Sequence, residues 1–190
     1  MHFAHYGSNS DVDHGAVTSY GVTERDIQQN VYDGMCSVDT LNVIPCKLHI
    51  KAWKQIGKLA QDENCKIAVS PHFNASKFEK KTEYLGHMAI SSSHPNAVGI
   101  GNLVLENLGK LMCWSRNKGL IIIPDKRFPL DGWPNNLKFP RVTAPNLLVE
   151  AGFNYDYFFG QWIHHEQNQF AYGVAIADAI DRYYKDVVEE

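Results

Sequence analysis

Two kinds of hydrophobic spacing alternate along the chain. In "TERDIQQNVYDGMCSV" (23–38), Ile27, Val31 and Met35 recur every fourth residue, which is one face of a helix. Thr23 followed three positions later by Asp26 is a start signal for that helix. "LHIKAWKQIGKLAQDEN" (48–64) also reads as a helix, through Ile50, Trp53, Ile56 and Leu59, and "IGNLVLENLGKLMCW" (100–114) is amphipathic through Ile100, Leu103, Val104, Leu108, Leu111 and Met112. A closing helix carries Phe170, Val174, Ala177, Ile180, Tyr184 and Val187. The helical reading includes "WIHHEQNQ" (162–169), which puts His164, His165 and Glu166 on a solvated face.

Short apolar runs separate these helices. "HFAH" (2–5), "LNVIPC" (41–46), "KIAVS" (66–70), "YLGHMAIS" (84–91) and "NLLVEAGF" (146–153) read as strands, and "GLIIIP" (119–124) as strand or loop. Strands alternating with helices predict a single α/β domain over residues 1–190 with a largely parallel sheet. Residues 124–145 differ, with Pro124, Pro129, Pro134, Pro140 and Pro145, and read as an ordered surface loop.

Composition narrows the function. The 190 residues are 44% hydrophobic, enough for one sizeable core, and the formal net charge of −3 argues against a nucleic-acid partner. No apolar run approaches the roughly 20 residues that cross a membrane. The start "MHFAHYGSNS" lacks the basic and apolar regions of a signal peptide, so the expected location is the cytoplasm until another system releases the chain. Cys36, Cys46, Cys65 and Cys113 form no C-x-x-C pair, and Cys113 in "KLMCW" reads as a small core hydrophobe.

In open α/β sheets ligands bind beyond the carboxyl ends of the strands. "HFAH" ends at His5, "KIAVSPH" at His72 and "NLLVE" at Glu150, while Glu24 begins the first helix. Two imidazoles and one carboxylate make an open zinc site, and a second carboxylate can take the proton of an activated water. Blander roles compete: His5 as an exposed histidine, Glu24 as a partner of the helix dipole, His72 as a loop histidine. Glu150 is hardest to explain away, because an acid directly after Leu147, Leu148 and Val149 requires a partner. Two carboxylates alone would also serve a metal-free glycosidase using Glu24 and Glu150.

Taken together, "HYGSNSDVDHGAVTSYGVTERD" (5–26), "SPHFNAS" (70–76) and "VTAPNLLVEAGFNYD" (142–156) resemble the zinc-dependent N-acetylmuramoyl-L-alanine amidases of the amidase-3 type, which include autolysins and bacteriophage endolysins. The resemblance implies a twisted mixed sheet flanked by helices on both faces. It implies one zinc ion held by His5, Glu24 and His72, with Glu150 as the catalytic carboxylate. Peptidoglycan would be the substrate, cut between N-acetylmuramic acid and L-alanine; Asn74, His14 and Trp133 would line the groove. No separate wall-binding module and no membrane insertion are expected. The chain departs from the pattern at Ala4, where the family has Gly, in a longer loop between His5 and Gly15, and at His14, which replaces a Pro and rivals His5 as first ligand. A zinc hydrolase of another amide and a catalytically inactive wall-binding component are the alternatives.

Overall fold

Two ladders of parallel strands meet back to back in the sheet of this protein. In the computed structural model, which describes residues 1–5, 14–47, 53–75, 86–123 and 145–188, the elements are α1 (Gln28–Cys36), α2 (Trp53–Asp62), β1 (Ala68–Asn74), β2 (His87–Ser92), α3 (Pro95–Leu111), β3 (Asn117–Ile123), β4 (Asn146–Phe153), α4 (Tyr157–Ile163) and α5 (Glu166–Tyr183), closed by a π turn over Tyr184–Val188. The strand order is β1-β4-β2-β3. β1 runs parallel to β4 and β2 parallel to β3, while β2 and β4 are antiparallel. The carboxyl ends of β1 and β4 therefore share one edge with the amino end of β2. The result is an α/β domain with a mixed sheet.

β4 occupies the middle because its side chains suit it. Leu147, Leu148 and Val149 are buried, as are Ala151 and Phe153 beyond Glu150, so the run reads as a fully covered strand rather than an alternating one. α3 lies over β2, β3 and β4, and α1 and α5 pack together beside it. The α1–α5 crossing is close: a Cβ on Gly34 would meet the Phe170 carbonyl, and one on Gly173 the Val31 carbonyl. Any side chain at either position would force the helices apart.

Several expectations change. β1 runs past His72 to Asn74. The ladder tolerates the proline because Val69 and Pro71 turn their carbonyls away from β4. The Val69 oxygen accepts from His2 N (2.8 Å) and the Pro71 oxygen from Gln28 Nε2 (3.1 Å). The missing N–H thus falls outside the β1–β4 pairing. "LNVIPC" contributes only a bridge, Cys46 to His2, among the described residues. The first helix begins at Gln28, after a turn over residues 24–27.

"GLIIIP" belongs to edge strand β3. Cys113 is exposed, because α3 stops before it. His164 and His165 are exposed but break the helix instead of lying within it: His165 is extended (ψ 125°) and precedes α5. Asn168 Nδ2 and Gln169 Nε2 donate to the Trp162 and Ile163 carbonyls (2.7 and 2.8 Å), satisfying groups the break leaves open. Phe170 is 40% exposed and lies outside the core. Trp133 and residues 124–144 of the Pro-rich loop lie outside the described residues. No helix among the described residues is long and apolar enough to cross a membrane.

Candidate functional site

The site begins with a turn. Thr23 N donates to Asp26 Oδ2 (3.0 Å) and Asp26 N to Thr23 Oγ1 (3.1 Å), a reciprocal box that fixes the chain on both sides of Glu24. The Glu24 side chain turns inward and is buried. Its Oε1 accepts from Phe73 N (3.2 Å) and lies 2.8 Å from His72 Nδ1. Its Oε2 accepts from Ala16 N (2.5 Å) and lies 3.3 Å from His5 Nε2. Burial pushes this carboxyl up, but the His72 charge, hydrogen bonds from His5 and His72 and the His5 charge outweigh it, leaving the pKa at about 2. Glu24 is an anion across the whole physiological range.

Ligand-type atoms of His5, Glu24 and His72 lie within 4.8 Å of one another, close enough to share one cation. Between His5 and His14, the two histidines of the first segment, only His5 joins this group. His14 is exposed, and its carbonyl accepts from Arg25 N (3.3 Å). Gly15 (φ 74°) backs the cluster: a Cβ there would run into Glu24 Oε2 and the His5 ring. The donor set and this glycine-walled cradle fit a small divalent ion such as zinc.

One residue ties the three donor-bearing segments together, and hydrophobic spacing does not mark it. Gln28 is fully buried. Its Oε1 accepts from Ala4 N (3.1 Å), next to His5, and its Nε2 donates to the carbonyls of Glu24 (2.8 Å) and Pro71 (3.1 Å), the latter next to His72. Its one clue was its place four residues past Glu24, which a helix opening at Glu24 would put on the same face. His5 itself is held at φ 54°, a conformation that costs a non-glycine residue energy. The Gln28 bond to Ala4 braces the backbone just before it.

Glu150 arrives from β4. It is the register partner of His72 on β1 and of Met88 on β2. Its Oε2 is buried with no hydrogen-bond partner among the described residues. Burial, with the Glu24 charge adding to it, holds this carboxyl well above the ordinary carboxylate range. The two acids of the site are therefore driven in opposite directions, Glu24 down and Glu150 up. Tyr172 of α5 sits beneath them, its hydroxyl 2.9 Å from the Val149 carbonyl and 3.2 Å from the His72 carbonyl. It joins the two strand ends that carry the pair.

Asn74 ends β1 at the same edge, with Nδ2 3.8 Å from Met88 Sδ and its carbonyl accepting from Asn154 N (2.9 Å). His87 begins β2 at this edge but points elsewhere. It is buried with Nδ1 2.9 Å from Ser115 Oγ, and its ring lies against Gly109 of α3.

No family model and no curated protein matches the sequence. Solved structures do match the fold. An N-acetylmuramoyl-L-alanine amidase of Clostridium difficile 630 superimposes with a TM-score of 0.75 at 17% identity, over 98% of this chain and 95% of that one. The amidase AmiC2 of Nostoc punctiforme gives 0.73 at 16% identity, over 97% and 94%. The catalytic domain of the CD27L endolysin, which targets Clostridium difficile, gives 0.60 at 14% identity, over 88% and 87%. This chain thus has the fold of the N-acetylmuramoyl-L-alanine amidase catalytic domains.

Proposed function

We propose that this protein is a zinc-dependent peptidoglycan hydrolase that cleaves the amide between N-acetylmuramic acid and the L-alanine of the stem peptide. The observation that carries the reading is the cluster of His5, Glu24 and His72 with the Glu150 carboxyl in register beside His72. The fold likeness to amidases supports the same substrate class.

His5, Glu24 and His72 would hold the ion, and Gln28 would keep their backbone segments in place. Zinc bound there supplies a water acidified to a pKa of about 7 and an electrophile for the amide carbonyl. Glu150 is the proton carrier: its Oε2 accepts a proton as the amide is attacked and returns it to the leaving amine. A carboxyl held above its ordinary range is suited to both steps, whereas Glu24 is too acidic for either. Asn74 at the end of β1 and exposed His14 beside the cradle border this space and would meet the substrate. Residues 1–190 would form one catalytic unit.

Purified protein, with and without chelator, incubated with purified peptidoglycan tests the proposal. Mass analysis should show intact stem peptides freed from the glycan, and chelation should stop their release. Peptides cut internally, with the sugar still attached, would point to a zinc hydrolase of another amide. Full activity in chelator would overturn the metal reading.

A further inference from the structure

Behind His72, on the side away from Glu24, lies a buried chain of polar atoms that the proposed chemistry does not use. His72 Nε2 is 3.1 Å from Ser70 Oγ, and Ser70 Oγ is 3.0 Å from His2 Nδ1. All three side chains are buried, at 5%, 1% and 4% exposure for His72, Ser70 and His2, so solvent does not compete for these bonds. The path depends on strand geometry. Ser70 and His72 are two apart on β1 and share a face. The backbone bond from His2 N to Val69 O (2.8 Å) brings His2 alongside Ser70.

We infer that Ser70 and His2 are positioning residues for His72, a hydrogen-bonded support that sets the orientation and tautomer with which this ring meets a divalent cation. The inference rests on the metal-binding reading above. His72 turns Nδ1 toward Glu24 Oε1, so Nδ1 is the nitrogen that would bind the ion and must carry no proton. The ring proton then sits on Nε2, which donates to Ser70 Oγ. The Ser70 hydroxyl in turn donates a hydrogen bond to His2 Nδ1, which accepts, so the His2 ring proton sits on Nε2. Only this direction of donation leaves Nδ1 of His72 free for a metal. A ligating histidine whose other nitrogen is so engaged is fixed in orientation and is a stronger base.

The test is zinc affinity, measured by competition with a chromophoric chelator, on wild type and on Ser70→Ala, Ser70→Thr, His2→Phe and the Ser70→Ala/His2→Phe pair, each checked for native circular dichroism. Ser70→Ala should weaken zinc by about 10–100-fold. Ser70→Thr, which keeps the hydroxyl, should recover most of that loss. His2→Phe should weaken zinc in the wild-type background and add little in the Ser70→Ala background, because it acts through the serine. Unchanged affinity in Ser70→Ala, or additive effects of the two substitutions, overturns the inference.

Should the variants misfold, long-range 1H–15N correlation spectra of zinc-loaded wild type decide. They should place the proton on Nε2 in both His72 and His2, and a proton on Nδ1 of either ring refutes the chain. Zinc binding that follows this pattern in a protein unable to release stem peptides would sink the proposed substrate but leave the support intact. A wild type that binds no zinc would sink both.

Discussion

His72 and Glu150 are register partners on adjacent parallel strands, in the carboxyl-terminal halves of β1 and β4. Residues paired this way project to the same face, so the imidazole beside Glu24 and the Glu150 carboxyl are aimed by one rigid ladder. Replacing Glu150 with Gln should keep the strand and the proposed cation site and remove the proposed proton carrier. Turnover on purified peptidoglycan should fall by about 10²–10⁴-fold, with zinc content by elemental analysis unchanged. His72→Ala should lose both zinc and turnover. Near-normal lysis by Glu150→Gln would show the acid misassigned.

Gly15 tests the cradle. At φ 74° it has a backbone that only glycine adopts freely, and a Cβ would overlap Glu24 Oε2 and the His5 ring. The conformational cost of Gly15→Ala is on the order of 1–2 kcal/mol. The overlap adds displacement of two donors, so zinc affinity should drop more than 10-fold while the circular dichroism spectrum stays native. Gly21 is the control: it has φ 79° but nothing within 4 Å of an added Cβ. Gly21→Ala should therefore share the backbone cost and leave zinc affinity unaltered.

Gln28→Leu should damage fold and site together. The substitution strips partners from Ala4 N and from the Glu24 and Pro71 carbonyls. Stranding buried polar groups costs about 1–3 kcal/mol each, so urea unfolding should show a loss of several kcal/mol. Zinc should also bind more weakly in the remaining folded protein, because His5, Glu24 and His72 lose their common brace. Tyr172→Phe is the milder companion. Its hydroxyl joins the Val149 and His72 carbonyls, and its removal should cost about 1–2 kcal/mol with the zinc site kept.

These residues also mark what the sequence makes legible. Glu150 and His72 stand out because each follows an apolar run, although both strands continue past them, to Phe153 and Asn74. The alternation of strand and helix likewise predicts an α/β sheet. What stays hidden depends on contacts distant in the chain. Gln28 looks like any polar helix residue until Ala4 and Pro71 fold against it. The break at His165 is invisible to hydrophobic spacing, because side chains of Asn168 and Gln169 stabilise it. Cys113 misleads for a related reason: the apolar pattern of α3 runs past the point where the backbone stops being helical. The antiparallel β2–β4 junction follows from how the crossovers close, which no local pattern encodes.

The opposed acids predict an unusual pH profile for the metal-free protein. Glu24 has its pKa lowered from 4.5 to about 2 in the fold. Between those values the unfolded chain binds a proton that the native state does not, so stability falls as pH drops through this window. The full loss is on the order of 3 kcal/mol. Glu150 behaves in the reverse sense, since burial and the Glu24 charge raise its pKa well above 4.5. As pH rises above 4.5 the unfolded chain releases a proton that native Glu150 retains, and stability falls again. Urea unfolding of the chelator-treated protein across pH should therefore show two slopes. Glu150→Gln should flatten the alkaline one and leave the acidic one, while Glu24→Gln should flatten the acidic one. An alkaline slope that persists in Glu150→Gln would mean that another buried group, not this carboxyl, holds the proton.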